Sequence, residues 1–243
     1  MPASQTHVEP AIAAISLLRA EGARVHCITN SVAQNFTANV LLACGASPSM
    51  TASPDEAPQF TERLDALLIN LGTLDAERRI AIRACADIAA RRGIPVVLDP
   101  VKCDLSPPRL AFAAQLLSAG NLILKANRAE AQLLGEAPAV LRVVTGQIDT
   151  VSAPSGEKVS VSNGHPLMDS TVAMGCALGA LVAALAVRAP TPFDGAVAAL
   201  VWFAVAGEIA AEKAGGPGSF ATRFLDALYA TSPETIRKQA RIA

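Results

Sequence analysis

The sequence predicts an α/β fold with a mostly parallel central sheet flanked by helices, and three observations carry that prediction. Short, nearly continuous apolar runs recur along the chain, as in buried parallel strands. Helix-like stretches separate most of them, as right-handed crossovers require. Polar residues close several runs, where loops at strand ends gather chemistry.

With 243 residues, the chain can bury a substantial core, and one domain over residues 1–243 is expected, with a polar N-terminal tail and a peripheral C-terminal tail. Hydrophobic residues make up 51%, charged residues 17%, and the net charge is −1. Disorder and electrostatic nucleic-acid binding do not fit that balance. Ala177–Val187 and Ala196–Ala206 read as helix-packing surfaces too short to span ~30 Å of hydrocarbon. The opening residues lack a signal-peptide pattern. Five cysteines, Cys27, Cys44, Cys85, Cys103 and Cys176, have no close pairing pattern, so a reducing compartment is expected, and the scattered histidines suggest no structural zinc.

Along the chain, Pro10 suits the first turn of a helix running to about Ala20, with Gly22 as its exit. RVHCI is a strand, followed by TNSVAQN and an apolar helix ending near CGASPSM. ALLINLG is a buried strand. Residues 75–92 form a helix with Ile80, Ala84, Ile88 and Ala89 toward the core, stopped by Gly93. IPVVLDP is a strand closed by Asp99, then come a helix over 107–119 and the strand NLILKAN. A short helix over 128–134 leaves only EAP before AVLRVVTG. That connection is either antiparallel or shortened. QIDTVSAPSGEKVSVSNG reads as a hairpin turning at Pro154, Ser155 and Gly156. Helices follow near 175–188, 193–214 and 218–230, and SPETIRKQARIA is a loose or peripheral helix.

Asp99 ends a strand before proline, and Glu130 follows the next strand. The pair has the chemistry to hold Mg²⁺ through oxygen and water, or else to cap local backbone donors. Lys125 suits phosphate contact or an edge position with its stem buried, and Asn127 suits a helix cap. Thr145 and Gly146 end an apolar strand, compatible with a nucleotide or with a tight turn. Gly175 and Cys176 open an apolar helix whose free N–H groups favour an anion and whose terminus would lower the thiol pKa; the alternative is a packed cysteine. AGGPGSF does not match a phosphate loop and reads as a turn between helices.

In order, VHCITNSVAQNFTANVLLACGASPSM, LLINLGTL, PVVLDPV, LKANRAE, VVTGQID, SNGHPLM, MGCALGA and AGEIAAEKAGGPGSFATRFLDALY closely resemble the hydroxyethylthiazole kinase family. The resemblance runs from about Val25 to Tyr229. It implies a ribokinase-like fold, a cytoplasmic homotrimer, and transfer of the ATP γ-phosphoryl group to the primary alcohol of 4-methyl-5-(2-hydroxyethyl)thiazole in thiamine salvage, with no nucleic-acid or membrane partner. It places Asn30, Met50, Ala173 and Gly175 at the substrate, Lys125, Asn127 and Thr145 at the nucleotide, Asp99 and Glu130 near Mg²⁺, and Cys176 at the reacting hydroxyl.

The chain departs from the family pattern at four places, the first being Lys125, which stands where arginine is usual before the family asparagine. Val172 and Ala173 stand where Thr-Gly is usual, and Lys102-Cys103-Asp104-Leu105-Ser106 replaces a glycine-rich run. The connection after Leu134 is far shorter than the family's. A kinase for another small alcohol and a non-catalytic thiazole or nucleotide binder are the alternatives these changes raise, and a purely structural oligomer is a third.

Overall fold

The computed structural model describes residues 3–120, 122–137 and 139–243. Eight strands form one sheet: β1 (Arg24–Ile28), β2 (Ser47–Ser49), β3 (Ala66–Asn70), β4 (Val96–Asp99), β5 (Ile123–Asn127), β6 (Leu141–Thr145), β7 (Asp149–Ser152) and β8 (Lys158–Val161). Their order is β2-β1-β3-β4-β5-β6-β7-β8. All pairings through β6 are parallel. The β6-β7-β8 edge is antiparallel, and its β7-β8 pair is the expected hairpin. Gly156 supplies the positive φ of 90° in the connecting turn.

The helices are α1 (Ala3–Glu21), α2 (Gln34–Ala43), α3 (Ala57–Thr61), α4 (Ala76–Arg92), α5 (Pro107–Ser118), α6 (Arg128–Leu133), α7 (Met174–Arg188), α8 (Pro192–Lys213), α9 (Pro217–Ala230) and α10 (Pro233–Gln239). They cover the sheet in two layers. One core joins α1, α2, α7, α8 and α9 to Val25, Leu68, Val97 and Val143. The other packs α4, α5 and α6 on Leu67, Ile69, Leu98 and Leu124. Adjacent strand residues therefore feed opposite cores, which is why these strands are apolar without alternation.

Chain direction across the sheet reverses between β1 and β3: the chain leaves β1 outward to β2 and returns to β3 on the other side. Sheets of this kind bind ligands beyond the strand carboxyl ends at such a reversal.

Several expectations change. Residues 3–9 are helical, and Pro10 lies inside α1 rather than in its first turn; Met1 and Pro2 of the expected tail, Asn121 of NLILKAN and Pro138 of EAP lie outside the described residues. Ile80 is 60% exposed, and α4 instead buries Ala81, Ile82, Cys85, Ile88 and Ala89. SPS forms the edge strand β2, and a proline-rich stretch forms α3. The α6 connection is parallel despite its length. Helix α8, at 22 residues, is long and apolar enough to span a membrane, but 83% of its most apolar window is buried inside the fold. The tail is not loose: beyond α10, Ile242 bridges Val161 of β8, and Ser160 and Ala243 exchange backbone hydrogen bonds of 2.7 and 2.9 Å.

Candidate functional site

Four polar residues from neighbouring strand ends meet at the reversal. Asn30 follows β1, Asn70 ends β3, Asp99 ends β4, and Lys125 lies in β5; all four are at most 8% exposed. In-register pairing of Asn70 with Asp99 brings those two side by side. Lys125 Nζ donates to Asp99 Oδ2 at 3.3 Å, and Asn70 Nδ2 donates to the same oxygen at 3.1 Å. Burial raises the Asp99 carboxyl pKa, with Lys125 opposing and Glu130 reinforcing. Burial works against the Lys125 charge, but Asp99, Cys176 and Glu130 outweigh it and hold the ammonium above the ordinary lysine value. The donors converging on Asp99 favour its ionised form, so the pair is an ammonium and a carboxylate.

Helix α7 begins directly over this pair. A Cβ on Gly175 would lie 3.1 Å from Lys125 Nζ, and one on Gly179, a turn later, 3.2 Å from Leu68 and 3.7 Å from Asp99 Oδ2. These glycines let the helix start sit against the buried cation. Its N-cap, Ala173, is in the left-handed region at φ 72° and supplies no side-chain cap. The first N–H groups of α7 are thus left for a ligand beside the lysine, an arrangement that favours an anion.

Cys176 is half-buried, and its Sγ accepts from Asn30 Nδ2 at 3.3 Å. Burial, followed by the Asp99 charge, raises the thiol pKa; Lys125 and the Asn70 and Asn30 amides only partly counter this. The expected helix-terminus lowering is therefore outweighed, and the thiol is protonated near neutral pH. Asn30 is held on both ends of its amide. Its Oδ1 accepts from the Ala33 N–H, and its Nδ2 donates to Asn70 and Cys176. That amide is spent on holding Cys176.

Glu130 is buried, but both oxygens already accept backbone hydrogen bonds, from Lys102 at 2.6 Å and Asn127 at 2.9 Å. Asn127 is exposed, and its side chain accepts from the Glu130 N–H, completing a reciprocal cap on α6. Thr145 Oγ1 donates to the Ala126 carbonyl at 3.4 Å. Among the described residues there is no group of three His, Cys, Asp or Glu that could hold a metal. Two neighbouring carboxylates with free lone pairs still fit a hard cation whose remaining ligands are water and phosphate. Met50 leaves β2 half-buried against the core, and because Ser49 pairs with His26, it emerges at the same sheet edge as Asn30.

Asn70 was missed by sequence reasoning, although it closes an apolar strand just as Asp99 does. Two non-glycine residues in the loops around the site have left-handed backbones: Lys102 has φ 54° and Ala173 φ 72°.

Residues 15–142 and 131–234 match the hydroxyethylthiazole kinase family pattern. The two stretches overlap in the region linking α6 to β6. A probable hydroxyethylthiazole kinase of Agrobacterium fabrum is 44% identical over 90% of this chain and 89% of its own length. A structure of hydroxyethylthiazole kinase protein from Pyrococcus horikoshii superposes with a TM-score of 0.93 at 34% identity, over 97% of this chain and 98% of that one. A ribokinase-like superfamily protein from Enterococcus faecalis shares the fold at 14% identity and a TM-score of 0.60, over 85% and 86% of the two chains.

Proposed function

The chain belongs to the hydroxyethylthiazole kinase family, and from that premise we propose that it transfers the γ-phosphoryl group of ATP to the primary alcohol of 4-methyl-5-(2-hydroxyethyl)thiazole. The observation that carries this reading is the Lys125 ammonium lying against Gly175 at the uncapped start of α7, one residue from Cys176. A transferring phosphoryl group there meets a buried positive charge and free N–H groups, and the acceptor hydroxyl meets the thiol.

Catalysis of this kind rests on positioning and fixed electrostatics. Lys125 and the α7 N–H groups offset phosphate charge, with the ammonium held in place by Asp99. Cys176, protonated and fixed by Asn30, orients the alcohol; its raised pKa argues against a standing thiolate base. Bound Mg²⁺ would be held by Asp99 and Glu130, partly through water, and would supply further neutralisation of phosphate charge. Thr145 and Asn127 border the nucleotide side, and Met50 and Ala173 the thiazole side. Because Lys102 and Ala173 keep left-handed backbones, the loop shapes favour a working kinase over a non-catalytic binder. Cytoplasmic homotrimer formation belongs to the same reading, with exposed Val32 and Leu105 as apolar surface available to a neighbouring subunit.

A panel of small primary alcohols tests the acceptor. ADP release that requires the thiazole alcohol supports the assignment; equal or greater release with a different alcohol contradicts it.

A further inference from the structure

Asn70 takes no direct part in the phosphoryl transfer just described, yet its side chain joins the two halves of the site. Its polarity is fixed by the backbone: the Gly72 N–H donates to Asn70 Oδ1 at 3.1 Å, so Nδ2 must face Asp99. The same oxygen receives Asn30 Nδ2 at 3.1 Å. Asn30 is oriented independently by the Ala33 N–H on its own oxygen, and its Nδ2 continues to Cys176 Sγ. Two backbone donors thereby set every amide in the chain Cys176–Asn30–Asn70–Asp99–Lys125, so neither amide is free to flip. Gly72 makes the packing possible, because a Cβ there would lie 2.7 Å from Asn30 Cβ and 2.9 Å from Nδ2.

We propose that Asn70 is a positioning residue for the transfer reaction: one buried amide holds the alcohol side, Asn30 and Cys176, in register with the phosphate side, Asp99 and Lys125. At 2% exposure, Asn70 acts through its neighbours. Its loss leaves Asn30 Nδ2 without one acceptor and Asp99 without one donor, and a buried network does not tolerate that without moving. Small misplacement of reacting groups costs rate more than binding. The inference rests on the kinase reading.

Two variants test it. In folded Asn70→Ala, kcat for thiazole phosphate should fall ~100-fold, while KM for ATP and thiazole stays within about threefold of wild type. Asn70→Asp keeps the acceptor for Gly72 and Asn30 but puts a second carboxylate against Asp99. Its kcat should also fall at least ~10-fold with KM little changed, since the donor to Asp99 is replaced by a like charge. Iodoacetamide labelling reads Cys176 without any substrate, since the other four cysteines are buried. The pH midpoint of labelling should move up by about half a unit in Asn70→Ala, because Asn30, released from Asn70, no longer holds its amide on the sulfur.

A kcat within threefold of wild type in either variant at neutral pH overturns the proposal, as does a loss of kcat matched by KM with the labelling midpoint unmoved. If Asn70→Ala does not fold, the split of kcat against KM in Asn70→Asp decides. If the wild-type protein forms no thiazole phosphate, the kinase reading fails instead, and the labelling midpoint alone decides whether Asn70 controls Cys176.

Discussion

At the scale of single residues, the left-handed Ala173 marks a local conflict between sequence and backbone. A non-glycine residue there costs about 1–2 kcal/mol, and glycine returns part of that gain through its freer unfolded chain. Ala173→Gly should therefore raise stability by up to ~1 kcal/mol in urea unfolding, and a decrease would show that the methyl group makes compensating contacts. Asp149, which accepts from the Gly146 N–H at 2.9 Å, has its pKa pushed up to about 6 mainly by burial. Protonation is then favoured by the folded state. Stability falls as pH rises from the ordinary carboxyl value through about 6. Asp149→Asn should flatten that slope in thermal unfolding from pH 4 to 7, and an unchanged slope would assign it to another group. Lys125→Met leaves Asp99 buried without its cation; a loss of ~3–5 kcal/mol is expected from chemical denaturation. Asp99 and Lys125 were visible in the sequence as polar residues at strand ends. The raised Cys176 pKa was not, because it depends on burial and on a carboxylate contributed by another strand.

At the scale of elements, the strands and long helices were legible because their apolar runs and glycine stops are local signals. The edge strand β2 and helix α3 were not, since SPS and APQFT carry proline and little apolar surface; pairing and burial decide them. Ile80 was misplaced because consecutive apolar and alanine positions in α4 leave its inward face ambiguous. The C-terminal segment was underestimated because its anchoring is tertiary. Asn163 accepts from the Arg241 N–H at 2.7 Å and donates to the Gln239 carbonyl at 2.9 Å, and Arg241 pairs with Glu208. Glu208 also accepts from the Gly164 N–H at 2.9 Å, tying the tail to the loop before His165. Deleting residues 240–243 should destabilise the protein by ~2 kcal/mol through lost hydrogen bonds and leave the β8 edge open to self-association. Thermal unfolding and light scattering check both; an unchanged transition would mean the tail is only resting on the edge.

At the scale of the whole molecule, the reversal between β1 and β3 gathers residues distant in sequence into one cleft, while α7 sets its uncapped start above them. Sequence motifs pointed to the family and to most of the cleft residues, but not to the amide chain that joins them, because register places Asn70 beside Asp99 and packing places Asn30 against Gly72. The link between α6 and β6 brings β6 back parallel to β5, so the two strand ends lie side by side. The most direct measurement is incubation of the purified protein with ATP, Mg²⁺ and hydroxyethylthiazole, with thiazole phosphate and ADP quantified by mass spectrometry. Equal yields of the two products are predicted; ADP without thiazole phosphate, or neither product from folded protein, would contradict the assignment.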